Sequence, residues 1–476
     1  MELFRAYDIR GQYPKDINDD IIYKIGRILV KTFNAKKIAV GQDVSLATPK
    51  IYQTLIKGII DQGCDVIDLG IAGTDVVYFS TGHYGYDVGI EITASHSAGY
   101  LSGIKIIGPN ASPFGMGFGM EKLKDDFLNY QETACDKKGG LVKKDVWDDF
   151  INNAISFVGG AGNIKSLKVV IDASNAVGAL EIDHLQKHLP QIEFVKINWT
   201  LDGHYPGHQP NPFLRENRLQ LEAKVKQEKA DFGIAFDGDA DRIYFVDERG
   251  DLIFGNYING FIAEKMCQQH PGGIVIHDIR AMRFIKDRVL ASAGMPKLEL
   301  VGHAFFKNRM KKENALFGGE GTGHIYYNFG DYMVENSIIA FLQVLQIVSE
   351  SGKSLRELAK EPRLKFPVIG EYNFALPGFT ASDDLTPAAL TAMEKILAVI
   401  REKYSDAEIS DFDTLSVKYP DWNFNIRPSA NDPLIRFSAE ANDVRLLLQK
   451  QKEIYDLLIG AGCTFVNDTG VVQYQD

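Results

Sequence analysis

The chain reads as α/β: three α/β domains with mixed, mostly parallel sheets, followed by a C-terminal antiparallel α+β domain. Three observations predict this. Short apolar strands alternate with amphipathic helices across short joints, the pattern of βαβ units. The pattern changes near residues 362–366, after which strands are joined by tight turns. A chain of 476 residues also exceeds what one domain usually holds. The expected domains are residues 1–145, 146–256, 257–364 and 365–476.

Taken in order, FRAYDIRG (residues 4–11) reads as a loop or surface strand, punctuated by Gly11 and Pro14, with Arg5 and Arg10 solvated. Asn18 or Asp19 caps a helix that sets Ile21, Ile22, Ile25, Ile28, Leu29 and Phe33 on one face. Residues 37–40 form a buried strand ending at GQD, 41–43. Pro49 opens a helix over Thr48–Asp61, Gly63 ends it, and 65–69 is the next strand. The strand Val88–Ile92 runs into TASHSAGYLSGIK, residues 93–105. Sites in such sheets gather where strands end in loops. Ser95 lies there, with His96 beside it and Lys105 further on. A serine hydroxyl needs a base or metal to become a good nucleophile, and adjacent side chains usually point apart. GPNASPFGMGFGM (108–120) is a Gly-rich lid or tether.

A charged stretch, 136–145, marks the first boundary. Strands 167–171 and Ile192–Ile197 flank a helix over 181–188. HYPGHQPNP (204–212) is a rigid loop. His204 and His208 have metal-ligand spacing, but the prolines forbid a helix, and both read as solvated. A helix over 216–228 leads to FGIAFDGDADR, 232–242, and DERGD (247–251) is a hairpin turn.

FGIAFDGDADR carries the strongest chemical signal. An apolar run stops at Asp237, Asp239 and Asp241, interleaved with Gly238 and Ala240. Alternate residues of an extended segment point the same way, so the acids converge. Bare carboxylates that close repel one another unless a cation sits between them. Oxygen ligands without His or Cys favour Mg²⁺ over zinc. The alternative is an acidic hairpin loop with all three acids solvated. A calcium loop of the EF-hand type fails because Arg242 stands where the tight turn needs glycine.

The third segment reads helix 260–269, strand Ile274–His277, helix 284–293 and strand 298–301 ending at GHAFFK, 302–307. Residues 315–317 lead to GGEGTGH, 318–324. Extended there, Glu320, Thr322 and His324 share one side, a set suited to sugar hydroxyls; a glycine-rich turn is the alternative. Helices over 334–348 and 355–360 follow. The last domain reads strand 368–374, helix Pro387–Lys403, three strands within 411–440 and a helix over 443–459. Between two of those strands, RPSANDPLIR (427–436) sets Arg427, Ser429, Asn431 and Arg436 around a turn. Guanidinium forks and turn N–H groups make such a turn a phosphate cradle.

Composition narrows the function. Hydrophobic residues at 45% support ordinary buried cores. A net charge of −11 argues against a nucleic-acid or anionic-membrane surface, but not against a local phosphate site. Cys64, Cys135, Cys267 and Cys463 lack CxxC spacing and read as reduced, buried residues of a cytoplasmic protein. The N-terminus has no apolar signal-peptide core, and the longest apolar stretch, 338–348, is too short for a bilayer.

Together and in this order, the loops resemble those of the α-D-phosphohexomutase family, in particular its bacterial phosphomannomutase/phosphoglucomutase branch. The resemblance covers essentially the whole chain and implies a central cleft walled by all four domains. TASHSAGYLSGIK resembles the phosphoserine loop, implying Ser95 as the phosphorylated residue, with His96 and Lys105 catalytic. DGDADR is similar to the metal loop, implying Mg²⁺ on Asp237, Asp239, Asp241 and phospho-Ser95, with Arg242 nearby. GEGTGH resembles the sugar-specificity loop, and RPSANDPLIR the phosphate-binding loop. FRAYDIRG is similar to the N-terminal signature, which turns Tyr7 and Arg10 toward the active site, against the solvated reading of Arg10. VGHAFFK and HDIR place His303 and Arg280 at the substrate.

The resemblance implies reversible conversion of hexose 1-phosphate and hexose 6-phosphate (mannose and/or glucose) through a hexose 1,6-bisphosphate, which also serves as activator. Small sugar phosphates are the implied partners; no nucleic acid or membrane partner is expected, and the oligomeric state is not legible. Lys105, His303 and His324 are the candidate general bases. Phosphoglucosamine mutase, a catalytically silent sugar-phosphate binder, and a haloacid-dehalogenase-type phosphatase using Asp237 are the rival readings. The chain departs from the family at Gln42 and Ser45, where arginines are usual. It also departs at Ser97-Ala98 for Asn-Pro, Leu101-Ser102 for Tyr-Asn, and Ala430-Asn431-Asp432 for Asn-Thr-Glu. These departures imply altered loop stiffness or interdomain contacts with the chemistry intact.

Overall fold

The computed structural model describes residues 3–97, 101–280, 282–381, 383, 385–429 and 432–471. Four sheets follow one another along the chain. In the first, Lys37–Gln42 lies between Asp65–Ile71 and Val88–Ile92, both parallel to it. Leu101–Gly108 and then Ile9–Gln12 extend that sheet antiparallel. Part of the opening segment is therefore strand rather than loop, with Arg10 opposite Gly103. At the other edge Leu141–Lys143, inside the charged boundary stretch, pairs with Asp65–Ile71.

The second sheet runs Leu252–Ile253, Ile243–Asp247, Phe232–Phe236, Leu167–Asp172, Ile192–Ile197. The third runs Met295–Leu298, Ile274–His277, Phe317–Gly319, Ile325–Asn328, Met333–Glu335. Each has a parallel half from βαβ crossovers and an antiparallel half from hairpins. The fold class is as expected, but the sheets are evenly mixed rather than mostly parallel. Buried hairpin strands carry the same apolar runs as crossover strands, so residue type alone does not separate them. The fourth sheet is wholly antiparallel, its six strands packed with the helices Pro387–Lys403 and Val444–Gly460.

Helices form where caps and stripes agree. Asn18 Oδ1 accepts from the Ile21 N–H at 3.0 Å to start Asp19–Phe33. Ser354 and Glu357 form a reciprocal capping box on Leu355–Lys365. Helices Thr74–His83, Met120–Leu128, Trp147–Phe157 and His303–Glu313 add to those expected. Thr74–His83 is buried on nearly every side and so shows no amphipathic stripe.

One apolar core runs through the first three units, including Ala39, Phe79, Phe150, Phe232, Phe284 and Phe341. The C-terminal domain has its own, around Phe374, Trp422, Phe424 and Ile435. Polar contacts help join the two: the N–H groups of Met282 and Arg283 donate to the Glu440 carboxylate, and Arg283 Nε donates to Asn423 Oδ1 at 3.0 Å. All four cysteines are free, and Cys135, expected buried, is only half-buried in a loop. Among the described residues, no helix is long and apolar enough to cross a membrane.

Candidate active site

The strand Phe232–Phe236 is entirely buried and delivers its C-terminal end into the site. The three acids converge as expected, but through a turn rather than an extended segment, with Ala240 at φ 56°. One oxygen from each of Asp237, Asp239 and Asp241 lies within 4.8 Å of the other two. All three are buried, which excludes the solvated-loop reading. A Cβ on Gly238 would stand 2.4 Å from the Ser95 carbonyl oxygen, so only glycine lets these loops touch.

Ser95 sits at φ 53°, a left-handed conformation for a non-glycine residue, of the kind concentrated at functional sites. The Thr93 hydroxyl accepts its N–H at 2.7 Å. Ser95 Oγ lies 3.4 Å from Asp237 Oδ2 and 3.1 Å from His96 Nδ1, so this adjacent pair does meet. Lys105, on Leu101–Gly108, donates to Asp239 Oδ2 at 2.5 Å and Asp241 Oδ2 at 2.6 Å. Thr74 Oγ1 donates to Asp239 Oδ2 at 2.6 Å.

Burial works against the charge on Lys105, but Asp239 and Asp241 outweigh it and hold its pKa above the usual lysine range. Burial, then Asp241 and Asp239, push Asp237 well above the carboxylate range. Asp239 Oδ1 and Asp241 Oδ1 are buried without a hydrogen-bond partner. An oxygen-only donor set with free, buried carboxylate oxygens fits a hard divalent cation.

Three imidazoles surround this centre. Burial is the main cause that lowers His96, His303 and His324 well below the ordinary histidine value, assisted by nearby Arg242, Lys105 and Lys307. All three are neutral near pH 7 and able to take a proton. Arg242 Nε donates to His324 Nε2 at 2.9 Å, which occupies that lone pair. Arg10 Nη1 donates to Ser97 Oγ at 2.5 Å, so Arg10 faces the serine loop and is not solvated.

Glu320, Thr322 and His324 are brought together by a turn, again not an extended segment, closed by Glu320 N–H to the His324 carbonyl at 2.9 Å. All three are buried. Arg280 Nη2 lies 3.2 Å from Glu320 Oε2 and 3.5 Å from Thr322 Oγ1, while its Nε donates to Asp278 at 2.7 Å. The ring of Tyr7 packs on His303 at 4.9 Å between centroids. Burial, then Glu320 and Asp413, push the Tyr7 hydroxyl up to about 12.

Arg427 and Arg436 stand opposite each other across two strands. Arg436 Nη2 donates to Ser429 Oγ at 3.1 Å, and Arg427 Nη2 donates to Glu371 Oε2 at 2.6 Å. Asn431 and Ala430, like Ala98 in the serine loop, lie outside the described residues.

A continuous polar chain links the loops. Ser95 reaches Asp237 at 3.4 Å, Asp237 reaches Arg242 at 3.6 Å, and Arg242 reaches His324. His324 bonds Glu320 through the backbone, Glu320 reaches Arg280 at 3.2 Å, Arg280 reaches Glu371 at 3.9 Å, and Glu371 reaches Arg427.

His204 is exposed and bonds Asp202. His208 is not solvated as expected: its Nε2 lies 2.9 Å from buried Asp172. Ser45 Oγ bonds the Tyr205 hydroxyl at 3.0 Å, joining the first two sheets' loops. Several buried site residues carry no motif: Thr74, Asp75, Glu91, Glu181, Glu335 and Glu371. For Glu91 the available signal is a lone acid inside the apolar strand Val88–Ile92.

Residues 1–133, 148–250 and 254–365 match the family profiles of phosphoglucomutase/phosphomannomutase alpha/beta/alpha domains I, II and III. A phosphomannomutase of Escherichia coli is 35% identical over 464 residues, covering 96% of this chain and 98% of that protein. Phosphohexose mutases of Xanthomonas campestris pv. campestris strain B100 are 35% identical over 458 residues, covering 96% and 99%. A crystal structure of a phosphoglucomutase/phosphomannomutase family protein from Burkholderia thailandensis superposes with a TM-score of 0.81 at 26% identity, covering 98% and 99%. At 15% identity, the open form of pp63/parafusin from Paramecium shares the fold, with a TM-score of 0.72 over 96% and 95%.

Proposed function

Because the chain belongs to the phosphoglucomutase/phosphomannomutase family, we propose that it interconverts hexose 1-phosphate and hexose 6-phosphate, of mannose and/or glucose, through phospho-Ser95 and a hexose 1,6-bisphosphate. The chain is a hexose-phosphate mutase, an intramolecular phosphotransferase. The observation that carries the finer reading is Ser95 Oγ at 3.4 Å from Asp237, beside the Lys105–Asp239–Asp241 cluster.

Asp237, Asp239, Asp241 and phospho-Ser95 would hold Mg²⁺. When bound, the ion offsets charge on the transferring group and polarises a phosphoryl oxygen. The remaining work falls to this chain's own residues. The sugar phosphate sits on Arg427, Arg436 and Ser429. Arg280, Glu320, Thr322 and His324 orient the ring, and Tyr7 and Arg10 close the near side. The free sugar hydroxyl attacks phosphorus, and the bond to Ser95 Oγ breaks. Neutral His303 takes the hydroxyl proton, since His324 Nε2 already accepts from Arg242. Neutral His96, 3.1 Å from Oγ, hydrogen-bonds the leaving serine oxygen, which takes up a proton from solvent as His303 gives its proton back to solvent. Lys105 offsets charge on the phosphoryl oxygens, so most of the rate comes from positioning and electrostatics. The bisphosphate then reorients and returns its other phosphate to Ser95.

The test is a coupled assay on mannose, glucose and glucosamine 1-phosphates with Mg²⁺ and a hexose 1,6-bisphosphate, alongside intact-mass analysis. Turnover of mannose or glucose phosphate, with one acid- and hydroxylamine-stable phosphate at Ser95, is expected. A hydroxylamine-labile phosphate on Asp237 would point to a phosphatase, preference for the glucosamine ester to that branch, and no turnover to a silent binder.

A further inference from the structure

Glu371 belongs to no motif, yet it sits at the heart of the phosphate cradle. It follows Gly370, at φ 76°, in the joint between the third sheet's domain and the C-terminal domain, just before the strand Tyr372–Ala375. Its side chain is buried among three guanidinium groups. Oε2 accepts from Arg427 Nη2 at 2.6 Å and lies 3.9 Å from Arg280 Nη1. Oε1 lies 3.6 Å from Arg436 Nη1. Burial alone would raise the Glu371 pKa, but Arg427, Arg436 and Arg280 outweigh it and hold the carboxyl below its usual value, so it is ionised.

Arg427 and Arg436 are direct cross-strand partners, a placement in which like charges repel. Glu371 relieves that repulsion from inside the cradle. Asp413 adds a weaker contribution, its Oδ2 lying 3.9 Å from Arg427 Nε. A phosphate arriving at the cradle therefore meets arginines already committed to a carboxylate. For a simple binder that arrangement wastes affinity. A reaction whose bisphosphate intermediate must release the cradle and rebind it the other way round gains from it.

We propose that Glu371 is the exchange anion of the cradle: its carboxylate holds Arg427 whenever a sugar phosphate leaves and cedes it when a phosphate arrives. The proposal rests on the mutase reading, because only a reorienting intermediate needs the exchange. Arg280 connects it to the sugar loop, since the same guanidinium group lies 3.2 Å from Glu320. Glu371 is thus a positioning residue that acts through Arg427.

The experiment compares wild type, Glu371→Gln and Glu371→Asp. Calorimetry with inorganic phosphate and with hexose 1-phosphate reads cradle affinity, and the coupled assay reads KM and kcat separately. Removal of the competing charge in Glu371→Gln is expected to tighten binding of both ligands about tenfold, lower KM and lower kcat. The shorter Glu371→Asp, which keeps the charge but retreats from Arg427, is expected to tighten binding by about threefold. It serves alone if Glu371→Gln does not fold. Unchanged or weaker phosphate binding overturns the proposal, as does tighter binding with kcat unchanged. A purely structural Glu371 would raise KM in both variants. If wild type turns over no hexose phosphate, the mutase reading falls, while calorimetry still decides whether Glu371 competes with phosphate.

Discussion

The hydroxyl oxygen of Ser95 stands 3.4 Å from a carboxylate oxygen of Asp237, a residue 142 positions further along the chain. That contact joins the serine loop of the first sheet to the acidic turn of the second. Asp237 is buried beside two other acids, which favours its neutral form. Asp237→Asn is therefore expected to leave stability unchanged or raise it by about 1 kcal/mol, while turnover drops at least about 100-fold. Urea midpoints and the coupled assay, run on the same preparation, read both sides. Loss of folding with activity retained in the folded fraction would contradict the assignment.

Lys105 supplies the counter-charge for Asp239 and Asp241. Lys105→Met leaves those buried acids uncompensated and is expected to cost about 3–5 kcal/mol in divalent-free buffer. Mg²⁺ is expected to recover part of that loss, but not the activity, which falls by about 100-fold or more. Thermal melts with and without Mg²⁺ give the result; equal destabilisation in both would count against a cation at the acidic turn.

Mg²⁺ that binds only the folded chain is expected to raise stability with concentration. At 100 times its Kd the gain is about 2.7 kcal/mol. Asp239→Asn is expected to remove most of this gain, and chelation to abolish wild-type turnover reversibly. Titration calorimetry with MgCl₂ is the direct check.

His277 gives a pH-dependent prediction away from the metal loop. Burial lowers its pKa to about 4, partly opposed by its bond to the Asp278 carbonyl. The unfolded chain binds a proton near pH 6.5 and the folded chain does not, so stability is lost as pH falls from about 6.5 toward 4. At pH 5 the loss from this one group is about 2 kcal/mol. Comparing wild type with His277→Gln in urea at pH 8 and pH 5 isolates it. The variant is expected to lose less stability between those two conditions, and an equal loss refutes the prediction.

Arg280 is buried among Asp278, Glu320 and Glu371. Arg280→Met takes the ion-pair partner from buried Asp278 and Glu320, while Glu371 keeps Arg427, and is expected to destabilise the chain by about 3–5 kcal/mol. Arg280→Lys keeps the charge but not the fork, and is expected to raise KM about tenfold with a smaller change in kcat. Steady-state kinetics on a folded Arg280→Lys preparation checks this.

Much of the scaffold was legible where local signals agreed. The helices Thr48–Asp61 and Pro387–Lys403 follow from a proline in the first turn and an apolar stripe. The strands Ile192–Ile197 and Ile274–His277 follow from bounded β-branched runs. Thr74–His83 was not legible, because a helix buried all round has no polar face to reveal its period. In the site, the acids of DGDADR were legible, but their turn was not, since nothing about an alanine announces the left-handed φ of Ala240. Glu371 and Glu335 were invisible for a different reason. Each joins the site only when segments far apart in sequence pack together, and no short window of sequence contains both partners.

The polar chain from Ser95 to Arg427 has a consequence during synthesis. Domains fold from the N-terminus as the ribosome releases them. The serine loop can fold early, but its acidic partners emerge later and the cradle last of all. A nascent or prematurely terminated polypeptide therefore carries Ser95 without the residues it meets in the finished fold. Under the proposed mechanism, priming Ser95 with phosphate is then an act of the finished polypeptide, and C-terminally truncated translation products are expected to turn over no hexose phosphate.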